Sequence, residues 1–459
     1  MTADYAEFIA AKAYSHIDAG FSVGKDDMPW SLRDFQQDAV AWACRRGRAA
    51  LFADTGLGKT IMQLAWAALV ERETNKPVLV VTPLCVAQQT VREGAKFGIE
   101  CKYIREPQFS NPRIHVTNYE MLKNFNPDDY AGIVLDESSI LKGMDGRMRK
   151  YITEFGSTIP YRLSCTATPS PNDFMELGTQ SEFLGIMSQV EMLAMFFIHD
   201  GNDTAKWRLK GHGRRKFWEW LSTWALVIRN PADLGYDGDG YDLPPLNYKN
   251  HVVETGVSDG LFVKIAQGLQ ERNQARRESI DLRVEKAAQI ANSVDGPCIV
   301  WCHLNEESDK LENRISNGVQ VYGSMKPETK EEIITGFSDG DILKLITKPK
   351  IAGFGLNWQH CQNMVFVGLS DSWESFYQAV RRCWRFGQDK PVTVHIVTAD
   401  TEGAVLANIR RKQKQNEQMA REMADIMHDF TIAEIRGASV EKTDYIPIEP
   451  IKLPKWGSQ

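Results

Sequence analysis

Short apolar, β-branched runs alternate with helix-like segments along the chain, and this alternation limits the fold more than any other feature. In the first half the runs are "AALFA" (49–53), "VLVVT" (78–82), "IHVT" (114–117), "GIVLD" (132–136) and "RLSCT" (162–166). The second half repeats the style with "PCIVWC" (297–302), "VQVY" (319–322), "ILKLIT" (342–347), "MVFVG" (364–368) and "TVHIVT" (393–398). Strands that are apolar on both faces and separated by helices belong to parallel sheets covered on both sides. A chain of 459 residues exceeds one ordinary core, so two domains of about 200 residues each are expected. The predicted class is α/β, with two tandem lobes of parallel sheet flanked by helices.

Lobe one is placed at 31–240 and lobe two at 246–435, with a helical extension over 1–30 and a Pro-containing tail over 436–459. A helical segment over 175–230 interrupts the first lobe, and a long polar helix over 403–430 closes the second. Within the former, Phe217, Trp220, Leu221 and Trp224 fall on one helical face and are expected to pack into a core.

Composition narrows the setting. No apolar run approaches the roughly 20 residues of a membrane span, and the N-terminus lacks a basic segment followed by an apolar one. The eight cysteines lie mostly inside apolar runs, as reduced thiols would. A cytoplasmic protein, in a bacterium or an infected host, is the expectation. The net charge of −6 does not itself favour a nucleic-acid partner, so any phosphate-tracking surface must be local. "CRRGR", "GRRK", "AVRRCWR" and "IRRKQK" are the basic clusters available. No coiled-coil heptads occur, which leaves a monomer as the default.

"LFADTGLGKT" (51–60) follows an apolar strand and precedes a helix. That is the setting of a phosphate-binding loop, with backbone N–H groups and a helix N-terminus turned towards phosphate. Thr55, Gly56 and Gly58 form the turn, Lys59 reaches the terminal phosphates of ATP, and Thr60 holds Mg²⁺. Ala53 stands where the first glycine of the pattern usually stands. Asp136 ends the run "GIVLD" and Glu137 follows it, at the C-terminal end of a strand, where such folds bind ligands. Asp136 is the second Mg²⁺ ligand, and Glu137 orients and deprotonates the attacking water. Upstream, the amide of Gln36 matches the donor–acceptor edge of adenine.

Together the blocks "LRDFQ", "ADTGLGKT", "VVTPLCV", "VTNYEML", "LDESSILK", "LSCTATPSPNDFMEL", "VYGSMK", "ITKPKIAGFGLNW" and "QAVRRCWRFGQ" resemble the ordered motifs of a superfamily 2 helicase. Within that group they are similar to the Swi/Snf-type ATPases, and to compact helicase-like ATPases of bacteriophages. The resemblance implies RecA-like lobes with ATP in the cleft between them. It implies that Arg382 and Arg385 enter that site from lobe two as catalytic arginines, with Gln378 and Gly355 also at the nucleotide. Arg381 is set aside, because the family usually carries an acidic or neutral residue there. Thr82, Pro83, Thr117, Asn118, Thr347 and Lys348 would line a nucleic-acid strand, and Ser164, Thr166 and Thr168 would couple the two sites.

The resemblance further implies an ATP-dependent translocase or helicase on DNA, chiefly duplex or branched DNA gripped by its phosphates without regard to sequence. Replication or recombination proteins are its implied partners. Two other readings stay open at this point: an RNA-dependent ATPase, and a nucleotide-switched binding module with little turnover.

Overall fold

The computed structural model describes residues 19–423 and 432, apart from 109, 143–145, 171–172, 201–202, 256–257, 260–261, 264–276, 353–356, 371, 403–404, 415–416, 419–420 and 422. The strands of the first half are β1 (Arg48–Ala53), β2 (Val78–Thr82), β3 (Cys101–Tyr103), β4 (Ile114–Asn118), β5 (Gly132–Asp136), β6 (Tyr161–Cys165), β7 (Phe197–Asp200), β8 (Asp203–Leu209) and β9 (Ala225–Ile228). Seven of them form one sheet in the order β3-β4-β2-β5-β6-β1-β9, with every pairing parallel. Helices α1 (Asp34–Arg46), α2 (Lys59–Thr74) and α3 (Leu84–Phe97) cover one face. The opposite face is closed by α4 (Gly146–Ser157), α5 (Leu177–Leu184), α6 (Gln189–Phe196) and α7 (Arg214–Ser222).

The second half has β10 (Leu246–Val253), a short antiparallel pair β11 (Ser258–Asp259) and β12 (Phe262–Val263), then β13 (Cys298–Trp301), β14 (Gly318–Gln320), β15 (Lys344–Thr347), β16 (Asn363–Val367) and β17 (Val392–Ala399). Its six-stranded sheet runs β10-β17-β16-β13-β15-β14, again parallel throughout. The accompanying helices are α8 (Ile280–Ser293), α9 (Asn305–Arg314), α10 (Pro327–Asp339), α11 (Pro349–Ala352), α12 (Trp373–Val380) and α13 (405–414). The central strands are buried on both faces, which is why their sequences read as unbroken apolar runs.

Three segments depart from the sequence expectation. The stretch 175–230 is not wholly helical: β7 and β8 form an antiparallel hairpin inside it, and β9 pairs with β1 in the main sheet. "ALVI" is a short apolar run directly behind the tryptophan stripe, and its local pattern does not separate it from the helix before it. The stripe itself packs as expected, with Phe217, Trp220, Leu221 and Trp224 all buried. Of the extension 1–30, the described part holds only a 3-10 turn, Lys25–Asp27. The long final helix is seen at 405–414, and Met423 beyond it packs into the core of lobe one. The tail 436–459 lies outside the described residues.

Candidate nucleotide site at the seam between the lobes

β1 ends at Ala53, and the chain turns through Asp54–Gly58 into α2, whose first residue is Lys59. Gly56 and Gly58 adopt φ of +95° and +79°, a region that glycine enters without a side-chain clash. Space adds a second constraint. A Cβ on Gly56 would lie 2.7 Å from the Phe386 Cβ and 2.9 Å from its backbone nitrogen, and one on Gly58 would strike the Gln36 amide. Lys59 folds back across the loop, its Nζ donating to the Ala53 carbonyl at 2.7 Å. The turn thus opens a long helix whose first N–H groups lack intrahelical acceptors, which suits an anion.

Asp136 and Glu137 emerge at the end of β5, two strands from β1. Both are nearly buried, and Tyr119 Oη fixes the strand end by donating to the Asp136 carbonyl at 2.8 Å. Burial, then the charge of Glu137, raises the Asp136 carboxyl to about 7, while Lys59 opposes the rise. Burial lowers Lys59. Glu137, Asp54 and Asp136 oppose that fall, and Arg385 of lobe two adds to it. Lys59, both acids and Arg385 therefore share one electrostatic neighbourhood.

Glu137 sits at φ +51°, a conformation that costs a non-glycine residue about 1–3 kcal/mol and recurs at functional sites. Its Oε2 is buried without a hydrogen-bond partner among the described residues. A carboxylate oxygen left in that state calls for a partner the chain does not supply. Thr60, in the first turn of α2 and half-buried, with Asp136 across the sheet edge, gives the hard oxygen donors that a magnesium ion takes.

Gln36 lies against the loop. Its Oε1 accepts from Arg33 N and its Nε2 donates to Leu57 O, both at 2.9 Å. A glutamine amide has a second lone pair and a second N–H, so half its capacity remains. Next to it Phe35 meets Tyr241 edge-on, Tyr241 stacks on Phe386 with centroids 4.5 Å apart, and the Arg33 guanidinium lies 5.2 and 5.3 Å from those two rings.

Lobe two meets this surface with α12 and the turn after it. Arg382 is buried and bonds through Nε to the carbonyl of the equally buried Gln378 at 3.1 Å. Arg385 bonds Asn357, and burial followed by the charges of Arg382 and Arg381 lowers it to about 9. Arg381, which sequence reasoning passed over, reaches the loop directly. Its Nη2 lies 2.8 Å from Asp54 Oδ2 and 3.1 Å from the Thr55 carbonyl, and its Nε bonds the Thr55 hydroxyl. A basic residue at a position usually acidic or neutral was the available signal, and Asp54 is the acid that answers it. Gly355 lies outside the described residues.

The three hydroxyls expected to couple the sites each have a partner within the fold. Ser164 bonds Gln180, Thr166 Oγ1 accepts from Thr168 N at 3.1 Å, and Thr168 Oγ1 donates to Glu374 Oε1 of lobe two at 3.1 Å. The residues expected on a nucleic-acid strand are also held inward. Thr82, Thr117, Asn118 and Thr347 are all buried. Thr82 Oγ1 donates to Pro83 O at 3.1 Å, Asn118 caps Met121 N at 3.1 Å and donates to Tyr103 Oη, and Thr347 donates to Val321 O at 3.2 Å. Buried Pro83 is the N-cap of α3. Among the six, Lys348 is the cation, and it bonds Asn305. The hydroxyls of Thr82 and Thr347 thus bond backbone carbonyls at their strand ends, whereas the buried Thr117 Oγ1 has no hydrogen-bond partner among the described residues.

Among the described residues, no helix is long and apolar enough to cross a membrane. Two family models match in succession: type III restriction enzyme, res subunit, over residues 30–171, and helicase conserved C-terminal domain over 283–387. Chromodomain-helicase-DNA-binding protein 1-like of Danio rerio is 22% identical over 79% of this chain, which covers 41% of that protein. A protein named p41 from Acyrthosiphon pisum secondary endosymbiont phage 1 is 23% identical over 80% of this chain and is covered to 93%. A structure of the Sulfolobus solfataricus SWI2/SNF2 ATPase core in complex with dsDNA aligns with 88% of this chain and 97% of its own, at 18% identity and a TM-score of 0.42. The two halves of a helicase core are thus matched in order, one on each sheet, and over most of its length the chain is similar to superfamily 2 helicases of the Swi/Snf type.

Proposed function

We propose that this chain is an ATP- and Mg²⁺-dependent motor that moves on DNA, chiefly duplex or branched DNA held by its phosphates. One observation carries the reading: Lys59 of the phosphate loop lies within electrostatic reach of Asp136 and Glu137 of its own lobe and of Arg385 of lobe two. Hydrolysis of a phosphoanhydride needs cations on the transferring group, a base for water and little else. Here the base and the arginine stand on opposite lobes, so turnover depends on how the lobes meet.

Thr60 and Asp136 would hold the magnesium ion, which when bound supplies charge neutralisation between the terminal phosphates. Lys59 binds those phosphates, and Glu137 takes the proton of the attacking water. Arg385, with Arg382 behind it, stabilises the charge that develops. Gln36 reads the adenine edge with the donor and acceptor it has left. A DNA substrate is supported by the likeness to Swi/Snf-type ATPases and by the helicase and DNA-binding functions named in the Danio rerio relative. The chain spans about two fifths of that relative.

The test is the steady-state ATPase rate with no nucleic acid, single-stranded DNA, duplex DNA or RNA, with Glu137→Gln as the blank. Strong stimulation by duplex DNA is the expected outcome, and strand displacement from a triplex would then report movement. Stimulation by RNA alone would replace the DNA reading with an RNA-dependent ATPase. A slow rate indifferent to every nucleic acid would replace it with a nucleotide-switched binding module.

A further inference from the structure

Helix α12 turns one stripe of side chains across the seam. Glu374, Tyr377 and Arg381 follow each other at spacings of three and four residues, one helical face. All three contact lobe one. Glu374 Oε2 pairs with Lys142 Nζ at 2.6 Å, and its Oε1 accepts from Thr168 at 3.1 Å. Tyr377 Oη donates to Asp54 Oδ1 at 3.0 Å, and Arg381 pairs with Asp54 Oδ2 at 2.8 Å. One helix face thus grips the phosphate loop at one end and the Thr166–Thr168 segment at the other.

Burial separates these contacts from an ordinary surface pair. The Lys142 and Glu374 side chains are 19% and 18% exposed, and Arg381 is 4% exposed. Arg92 of α3 and Glu331 of α10 also meet across the seam, but at 59% and 55% exposure. Such an open pair adds little in water, whereas stripping one partner from a buried pair strands a charge.

We propose that the Glu374–Tyr377–Arg381 stripe is an interlobe latch, in which Glu374 and Arg381 act as positioning residues. The latch holds the lobes together before nucleotide arrives, and it covers the negative charge of Asp54. Asp54 lies close enough to Lys59 to favour its charged form. With the latch open, the bare Asp54 carboxylate competes with phosphate for Lys59 and repels the incoming triphosphate. Nucleotide affinity is in this way tied to lobe closure at a residue that touches neither the base nor the catalytic water. The effect on affinity rests on the nucleotide reading above; the effect on lobe spacing does not.

Lobe spacing comes first, by energy transfer between one dye on each lobe of the full chain, without nucleotide or DNA. Glu374→Lys and Lys142→Glu each lengthen the mean distance, and the double variant Lys142→Glu/Glu374→Lys shortens it again. Unchanged spacing in the single variants, or no recovery in the double, overturns the latch. Next comes the ATPase saturation curve. Arg381→Gln raises KM for ATP about tenfold with a smaller change in kcat, and adding Asp54→Asn returns KM towards the parent value. Equal losses of kcat in Arg381→Gln and in the double variant would overturn the charge-covering role. If the parent protein bound no ATP, the nucleotide reading would fall while the spacing result still judged the latch.

Discussion

Two sets of polar residues leave the strand ends of these sheets, and they are built in opposite ways. The nucleotide set keeps capacity in reserve. Glu137 holds a buried oxygen without a partner among the described residues, Gln36 uses half of its amide, and Lys59 is steadied by carbonyls that leave its charge available. In the set expected to face nucleic acid, Thr82, Asn118 and Thr347 already have acceptors or donors inside the fold, and Thr117 is the exception, its buried hydroxyl without a partner among the described residues. A ligand site needs groups whose hydrogen bonds the chain has left unmade. The contrast separates the groups at the seam from Thr82, Asn118 and Thr347, while Thr117 keeps the same kind of reserve.

The largest expected effect tests the arginine side of the seam. Arg385→Ala should keep ATP binding and lose turnover by about 10³-fold, the usual scale for an arginine supplied to a phosphoryl transfer. Single-turnover hydrolysis beside equilibrium binding of a fluorescent ATP analogue separates the two. Normal turnover would remove the assignment. Glu137→Gln comes next, with a loss of about 10²-fold or more, as for removal of a general base. Gln also replaces a buried carboxylate, one of whose oxygens lacks a hydrogen-bond partner among the described residues, by a neutral amide, so the variant should melt no lower than the parent. A lower melting temperature would mean that the carboxylate is held by structure rather than in reserve.

Gln36→Ala is smaller. Losing one hydrogen bond to the base weakens ATP binding by about five- to tenfold. GTP binding should not fall with it, because an amide matched to the adenine edge does not match guanine in the same pose. A parallel loss for both nucleotides would show that Gln36 acts only by supporting Leu57 in the loop.

Much of this was legible in the residues, for physical reasons. Central parallel strands are apolar on both faces, so "VLVVT" and "GIVLD" announced themselves, and the glycine turn at Gly56 and Gly58 permits few other uses. Edge strands were harder. β10 is exposed along most of its length and reads as polar linker, and β9 is too short to separate from the helical stripe before it. Contacts between lobes were not legible from local pattern. Asp54 and Arg381 are 327 positions apart, and only the fold brings them to 2.8 Å. Small hydroxyls at strand ends misled in the other direction. A threonine there suits a phosphate, but it suits a neighbouring carbonyl as well, and in Thr347 the carbonyl of Val321 has it.

That last point yields the smallest effect and the sharpest test of the comparison. Lys348→Ala should weaken DNA binding a few-fold and lower the slope of log affinity against log salt by about one, the signature of a lost phosphate contact. Thr347→Val, one residue away, should leave both quantities unchanged. Its cost should instead appear in stability, because a buried carbonyl loses its donor; a loss of about 1 kcal/mol lowers the melting temperature of a lobe this size by about 2–4 °C. Affinity, salt slope and melting temperature, measured for both variants, must fall in that crossed pattern. If Thr347→Val weakened DNA binding as Lys348→Ala does, the hydroxyl would have to leave Val321 when DNA arrives. The second set of strand ends would then be a site that forms on binding, and the contrast with the prepared nucleotide seam would lie in timing rather than in composition.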